Sequence, residues 1–277
     1  MIAPDQSPPE VVSMQTHRAR AWRRPDGLGF ARGLRCVAVT LAEAILAAAA
    51  LPVVFQTGGG GVMPQVLLRL GQGRVSPFIG PQGQWHAAWL PPRLQAYPFD
   101  LVEAPNGGQA LALHEQGDVA PDSSGADWVF AQGQGDAPAL SQPAAQRAAL
   151  LQTHALALPA TAKASAAVQA LGLLRPLQGD GAVHVIDPEA IAALSEAAVV
   201  SLHRAGALGL VHAALVSQAH LAWMAKAERQ LAAAPPRKAP LPQTPQPAPS
   251  GTAFLSALMS AQAHDANALI IPGWPLS

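Results

Sequence analysis

The sequence predicts an α+β protein with a mixed or antiparallel sheet of short strands and helices concentrated in the C-terminal half. Three observations carry that prediction. Half of the 277 residues are apolar and only 12% are charged, enough for a sizeable core. The 27 prolines and 24 glycines keep the elements short. Alternating apolar runs fall before residue 130, whereas helical periodicity and capping residues gather after residue 140.

Residues 1–14 are expected to form a flexible tail, with the body running from residue 15 to 231. The basic stretch Arg18 to Arg24 reads as a solvated loop. Arg35 to Thr40 alternates as a strand, and the alanine-rich run Leu41 to Ala50 is a helix that Pro52 ends. Val53 to Phe55 and Val62 to Leu70 are apolar strands around Gly58 to Gly61, a hairpin with a loose turn. No Lys-Ser or Lys-Thr follows those glycines, so they lack the pattern of a phosphate loop.

Trp85, Ala87 and Trp89 occupy alternate positions, which places both indoles on one face of a strand that Pro91 and Pro92 stop. With Tyr97 and Phe99 they form the densest aromatic group of the chain, expected mainly in the core and otherwise a platform for a ligand or partner. Gly107 to Ala137 is a loop region holding strand-like pieces at Ala110 to His114 and Trp128 to Phe130. Gln142 to Gly172 is helical in composition, and Pro143 and Pro159 divide it into two expected pieces. Leu173 to Leu177 and Val183 to Ile186 flank Gly179-Asp180-Gly181 as a hairpin. Asp187 caps a helix beginning at Pro188, and Ser195 caps another that runs to Gly206. A long helix follows to about Leu231, with Leu208, Val211, Leu215, Ala219 and Ala222 as its apolar stripe.

Residues 235–250 form a proline-rich linker with little to bury. Beyond it, residues 251–277 carry Phe254, Leu255, Leu258 and Met259 at the spacing of a short amphipathic helix, a docking element for the chain's own body or for a partner.

Seventeen basic residues balance seventeen acidic ones, so no field draws in nucleic acid. The apolar window Leu34 to Phe55 contains Glu43 and Pro52 and is not expected to cross a membrane. It is also badly placed for a secretory signal, which leaves a cytoplasmic location as the expectation. The single Cys36 rules out a disulfide framework, and no histidine pair has metal-ligand spacing, so no cofactor or metal is expected. No nucleophile elbow surrounds any serine. Glu43 is the one carboxylate set in a strongly apolar segment; it is expected first as a partner for a strand amide or an arginine, and as the candidate acid or base, its pKa raised by burial, if the protein is an enzyme.

The order of these signals resembles the SapC family of bacterial proteins, named for a gene in a surface-layer protein operon. The similar residues are His17, Leu41 to Phe55 with Glu43 and Pro52-Val53-Val54-Phe55, and Pro64 to Gly71. The most specific are Trp-x-x-x-Trp-Leu-Pro from Trp85 and Tyr-Pro-Phe from Tyr97. Gly179 to Gly181, Ile186-Asp187, Leu194-Ser195 and the step from Gly206 through Ser217 add to it, while Gly71 to Gly80 and Leu111 to Asp118 depart from the family's pattern. The resemblance implies an association with the production or export of surface-layer or outer-surface proteins and brings no catalytic residues. Together with the missing catalytic motif it leads to the expectation of an accessory that binds a protein partner, either a secreted or surface-destined polypeptide or its export machinery. The alternative reading is an enzyme acting on a peptide or small molecule, with Glu43 and the Trp85 to Tyr97 segment lining its pocket.

Overall fold

A computed structural model describes residues 8–233, apart from 59–60, 72–74, 105–107, 121–123, 132–138 and 179. The chain divides into the units Met1–Ala233 and Ala234–Ser277, and only the first contains described residues. The linker 235–250 and the expected docking residues Phe254, Leu255, Leu258 and Met259 lie outside the description.

In chain order the elements are β1 (Glu10–Val11), α1 (Met14–His17), β2 (Ala21–Trp22), β3 (Cys36–Ala38), α2 (Leu41–Ala47), β4 (Val53–Gly58) and β5 (Gly61–Leu67). The middle of the chain supplies α3 (Pro92–Ala96), β6 (Phe99–Glu103), β7 (Gln109–Leu113), β8 (Asp118–Val119) and β9 (Asp127–Trp128). Next come α4 (Gln142–Ala170), β10 (Leu174–Leu177), β11 (Asp180–Ile186), α5 (Pro188–Ala192), α6 (Glu196–Arg204), α7 (Leu208–Ser217) and α8 (Ala219–Ala233). The class is α+β, with antiparallel pairing throughout the described strands and the longer helices in the C-terminal half.

The main sheet has the order β10-β11-β4-β5-β3. Its centre is the β4–β5 hairpin, in register from Val53 opposite Val66 to Gly58 opposite Gly61. Both central strands are dense in valine, leucine and phenylalanine, as strands covered by other elements require. A three-stranded sheet, β1-β7-β6, and a small one, β8-β2-β9, complete the described strands. Glu10 and Val11 pair with Leu113 and Ala112, so the segment expected as a flexible tail contributes an edge strand.

Local caps explain where the helices start. Thr40 and Glu43 form a reciprocal capping box at α2, and the hydroxyls of Ser141 and Ser195 and the Asp187 carboxylate cap α4, α6 and α5. The window Leu34 to Phe55 is thus strand, helix and strand rather than one span.

Three expectations about helices and strands are corrected. Residues 142–170 form one helix, not two: Pro143 occupies the first turn, where its missing N–H costs nothing, and Pro159 is accommodated inside. The helix from Leu208 is interrupted at Gln218, whose side-chain amide donates to the Ile186 carbonyl at 2.7 Å. Its buried face is Leu210, Val211, Ala213, Ala214 and Ser217, continued by Met224, while Leu208, Ala219 and Ala222 are exposed. By length and composition Leu208–Ala233 would suffice to cross a membrane, yet a third of its apolar window is buried against the protein. Finally, Trp85 to Trp89 is not a strand; Trp85 makes a lone bridge to Ile79 in a loop that Pro91 ends.

Two cores result. The larger gathers Phe55, Leu51, Leu67, Leu68, Val183 and Ile186 with Leu210 and Ala214 of α7. The smaller packs Trp22, Phe99, Leu113 and Val129 against Ala144 and Leu151. Helix α4 belongs to both, because Ala164 and Val168 from its second half lie in the larger core.

Ser217 stitches α7 to the sheet. Its buried hydroxyl accepts the Val53 amide at 2.9 Å and donates to the Ala214 carbonyl at 2.8 Å. Ser217→Ala leaves that amide buried without an acceptor and is expected to cost about 1–3 kcal/mol in a urea melt. A neutral result would contradict the buried contact.

Candidate functional site

A concave site that combines aromatic and polar lining lies where the loop before β3 meets the loop before α3. Leu28 donates its amide to the Gly83 carbonyl at 2.8 Å. A Cβ on Gly27 would stand 2.9 Å from that same oxygen, and Gly83 itself has φ +85°. Only glycine permits both the close approach and the left-handed turn. The clamp sets Phe30 flat against Tyr97, with ring centroids 3.8 Å apart and planes at 11°.

Trp85 forms a further wall, its ring oriented by an Nε1–H bond to the Trp89 carbonyl at 3.1 Å. Leu28, Leu90 and Leu94 are apolar lining, and Arg24, Asp26, Gln84 and Gln95 supply the polar groups of a cleft of about 310 Å³. The Arg147 guanidinium donates to the Gln95 carbonyl. Burial, followed by the charge of Arg24, holds its pKa below the ordinary arginine value. The lining therefore combines aromatic faces with arginine and one carboxylate, a composition suited to holding an apolar or aromatic side chain by its faces.

Tyr97 is also packed on its interior side, by the His114 ring at a centroid distance of 5.2 Å. Beside it, buried Asp100 accepts from Arg93 Nη2 at 2.7 Å and from the Leu101 amide at 2.9 Å. His114 Nε2 stands 3.9 Å from the second Asp100 oxygen, a charge–dipole distance rather than a hydrogen bond. Burial pushes the Asp100 carboxyl up, but the neighbouring His114 and Arg93 outweigh it and bring the pKa to about 2. This ion pair braces α3 against β6 beneath the cleft.

The residues singled out from sequence divide among several places. Trp85 and Tyr97 border the same cleft, Trp85 half-buried and Tyr97 only 2% exposed. Trp89 is half-buried against the larger core and contributes its carbonyl to hold Trp85. Phe99 is fully buried in the smaller core, edge-on to Trp22 at 4.9 Å.

Glu43 is elsewhere. Its carboxylate accepts the Thr40 amide at 2.7 Å and meets His154 Nδ1 at 3.0 Å. Burial raises its pKa, but His154 and the Thr40 amide more than offset that, and the pKa is lowered. The upward shift of the enzymatic reading does not occur because both carboxylate oxygens are engaged, by a helix-capping amide and a histidine rather than by a strand amide or an arginine. Cys36 follows the opposite logic: burial exceeds the influence of Arg35 and Arg69 and pushes its thiol to about 11, away from nucleophilic character.

Sequence reasoning did not find Phe30, Gly27, Gly83 or Arg24 as parts of one site. Arg24 belonged to a basic cluster that reads as an ordinary loop, and no local spacing announces that Phe30 stacks on Tyr97. A groove between α2 and α7, lined by Ile45, Ala48, Gly209 and Val216, is almost wholly apolar and offers little to orient a ligand. Among the described residues, no three His, Cys, Asp or Glu side chains gather as a metal site.

The family model described as SapC matches residues 12–224. No curated protein and no solved structure matches the chain. The family match contains the aromatic cleft, both cores and all of the main sheet, and on that match the chain belongs to the SapC family.

Proposed function

We propose that this SapC-family protein is a non-catalytic accessory in the production or export of surface-layer or outer-surface proteins, binding a polypeptide partner in the cytoplasm. The observation that supports this reading is the cleft of Phe30, Trp85 and Tyr97: apolar lining, aromatic walls and polar groups in a volume that suits one or two side chains of a peptide. The enzymatic alternative draws on the Glu43–His154 pair, yet Glu43 is occupied in capping α2 and neither residue lines the aromatic cleft.

The test is capture from the native cell with the full chain and with Trp85→Ala and Arg24→Ala variants. Both variants are expected to remain folded in a thermal melt, and recovery of a surface-destined polypeptide is expected to fall about tenfold or more for Trp85→Ala. Equal recovery by the parent and both folded variants would refute the cleft as the binding site. If Glu43→Gln, rather than Trp85→Ala, abolished a measured turnover, the enzymatic reading would replace the accessory one.

A further inference from the structure

We infer that the outer face of α2, α7 and α8 docks on an anionic bilayer surface, with its apolar side chains entering the lipid and two cations of α8 meeting the headgroups. The apolar stripes of α2 and α7 have no cover. On α2 the stripe is Ala42, Ile45, Leu46 and Ala49, spaced as one helix face and all exposed. On α7 it is Leu208, His212 and Val216, also exposed. Ile45, Leu46 and Val216 are 53%, 59% and 55% exposed, and side chains of that size normally reach solvent singly rather than as a group. The two stripes border one groove of about 330 Å³, in which His212 is the only polar side chain among the described residues. Helix α8 joins this surface through His220, whose Nε2 donates to the Ala48 carbonyl at the end of α2, at 3.0 Å.

The occupant follows from what the face lacks and from what rims it. A peptide or a second subunit is oriented by polar contacts, of which the groove supplies one imidazole, whereas a hydrocarbon phase needs none. On α8, Ala219, Trp223, Lys226 and Gln230 are exposed on the side opposite buried Met224. Trp223 is 49% exposed and rests on the Phe78 ring at a centroid distance of 5.2 Å. An indole packed on one side and wet on the other suits the boundary between acyl chains and headgroups. Lys226 and Arg229 are exposed and make no ion pair among the described residues. The carboxylates of the three helices are spent inward, Glu43 on the Thr40 amide and His154, Glu228 on the Leu70 amide. The face is therefore locally positive on a chain of zero net charge, and it complements anionic lipid. Residues 208–233 are long and apolar enough to cross a bilayer, yet Leu210, Ala214 and Met224 anchor them in the larger core, so they lie on the membrane rather than through it. None of these residues lines the aromatic cleft, so the inference stands independently of the proposed function.

The experiment sediments the full chain with vesicles of phosphatidylcholine and with vesicles of equal parts phosphatidylcholine and phosphatidylglycerol. Binding to the mixed vesicles is expected, weakened about tenfold or more on phosphatidylcholine alone, as two cations near the surface require. The double change Leu46→Ser and Val216→Ser, at side chains more than half exposed, should lower affinity for the mixed vesicles about tenfold or more at an unchanged melting temperature. Lys226→Gln with Arg229→Gln should abolish the preference for anionic lipid. No sedimentation with either vesicle, or parental affinity in both folded double variants, would overturn the inference. Light scattering of the protein alone reads the other occupant: a dimer that Leu46→Ser with Val216→Ser dissociates, without vesicle binding, would overturn it in favour of a second copy of the chain.

Discussion

Truncating Phe55 to alanine is expected to destabilise the body by about 3–5 kcal/mol, read as a lower urea midpoint at unchanged slope. Phe55 has no exposed surface and sits in β4, with β5 on one side through Pro64 and β11 on the other through His184. Neighbours so placed are held by backbone pairing and have little freedom to collapse into the vacated volume, which places the loss towards the upper part of the range for aromatic truncation. Since whole domains are stable by only about 5–15 kcal/mol, the variant should be partly unfolded at moderate temperature. Leu156→Ala is the control: at 83% exposure it should melt like the parent. A Phe55→Ala midpoint equal to that of Leu156→Ala would contradict the packing of the larger core.

The second large effect belongs to Asp100. Removing it strands Arg93, a partly buried cation, and Asp100→Ala is expected to cost about 3–5 kcal/mol, as for one partner deleted from a buried pair. The same group governs acid stability. Its folded pKa of about 2 lies below the ordinary aspartate value of 3.8, so the folded state holds the ionised form more tightly than the unfolded state does. The stabilisation is complete above about pH 5 and is lost as the pH falls through the ordinary value of 3.8 towards 2, amounting to about 2 kcal/mol. Glu43, also lowered, adds in the same direction. Urea midpoints of the parent and of Asp100→Asn between neutral pH and pH 2 check this: the parent should lose more stability than the variant across the acid range. Parallel curves would show that Asp100 is not the group responsible.

Features set by neighbouring residues were the legible ones. Asp187 and Ser195 stand immediately before the helices they cap, and the β4–β5 and β10–β11 hairpins join strands that follow one another in the chain. Pro159 misled because a proline removes only its own donor, and a helix packed on both halves tolerates the loss. Trp85 and Trp89 alternate as strand residues do, yet no neighbouring strand pairs with them beyond the single bridge at Ile79. The candidate cleft was half visible: Trp85 and Tyr97 lie close together in sequence, whereas Phe30 reaches Tyr97 only because Gly27 and Gly83 let two distant loops touch. Such an approach is a property of the assembled fold and leaves no periodic trace.

The reach of α4 across both cores bears on how the protein opens. At 29 residues it is roughly 43 Å long, a splint whose two ends are fixed in different hydrophobic assemblies. Near its centre the Thr161 hydroxyl takes the Leu41 amide at 3.1 Å and returns a bond to the Ala157 carbonyl, fastening α2 beside the proline turn. Neither assembly can be released without losing one half of the splint, so subglobal opening of one should be energetically coupled to the other. Deep amides of β4 and of β6, although they belong to separate sheets, are therefore expected to exchange with solvent through one common opening reaction, as a single cooperative unit.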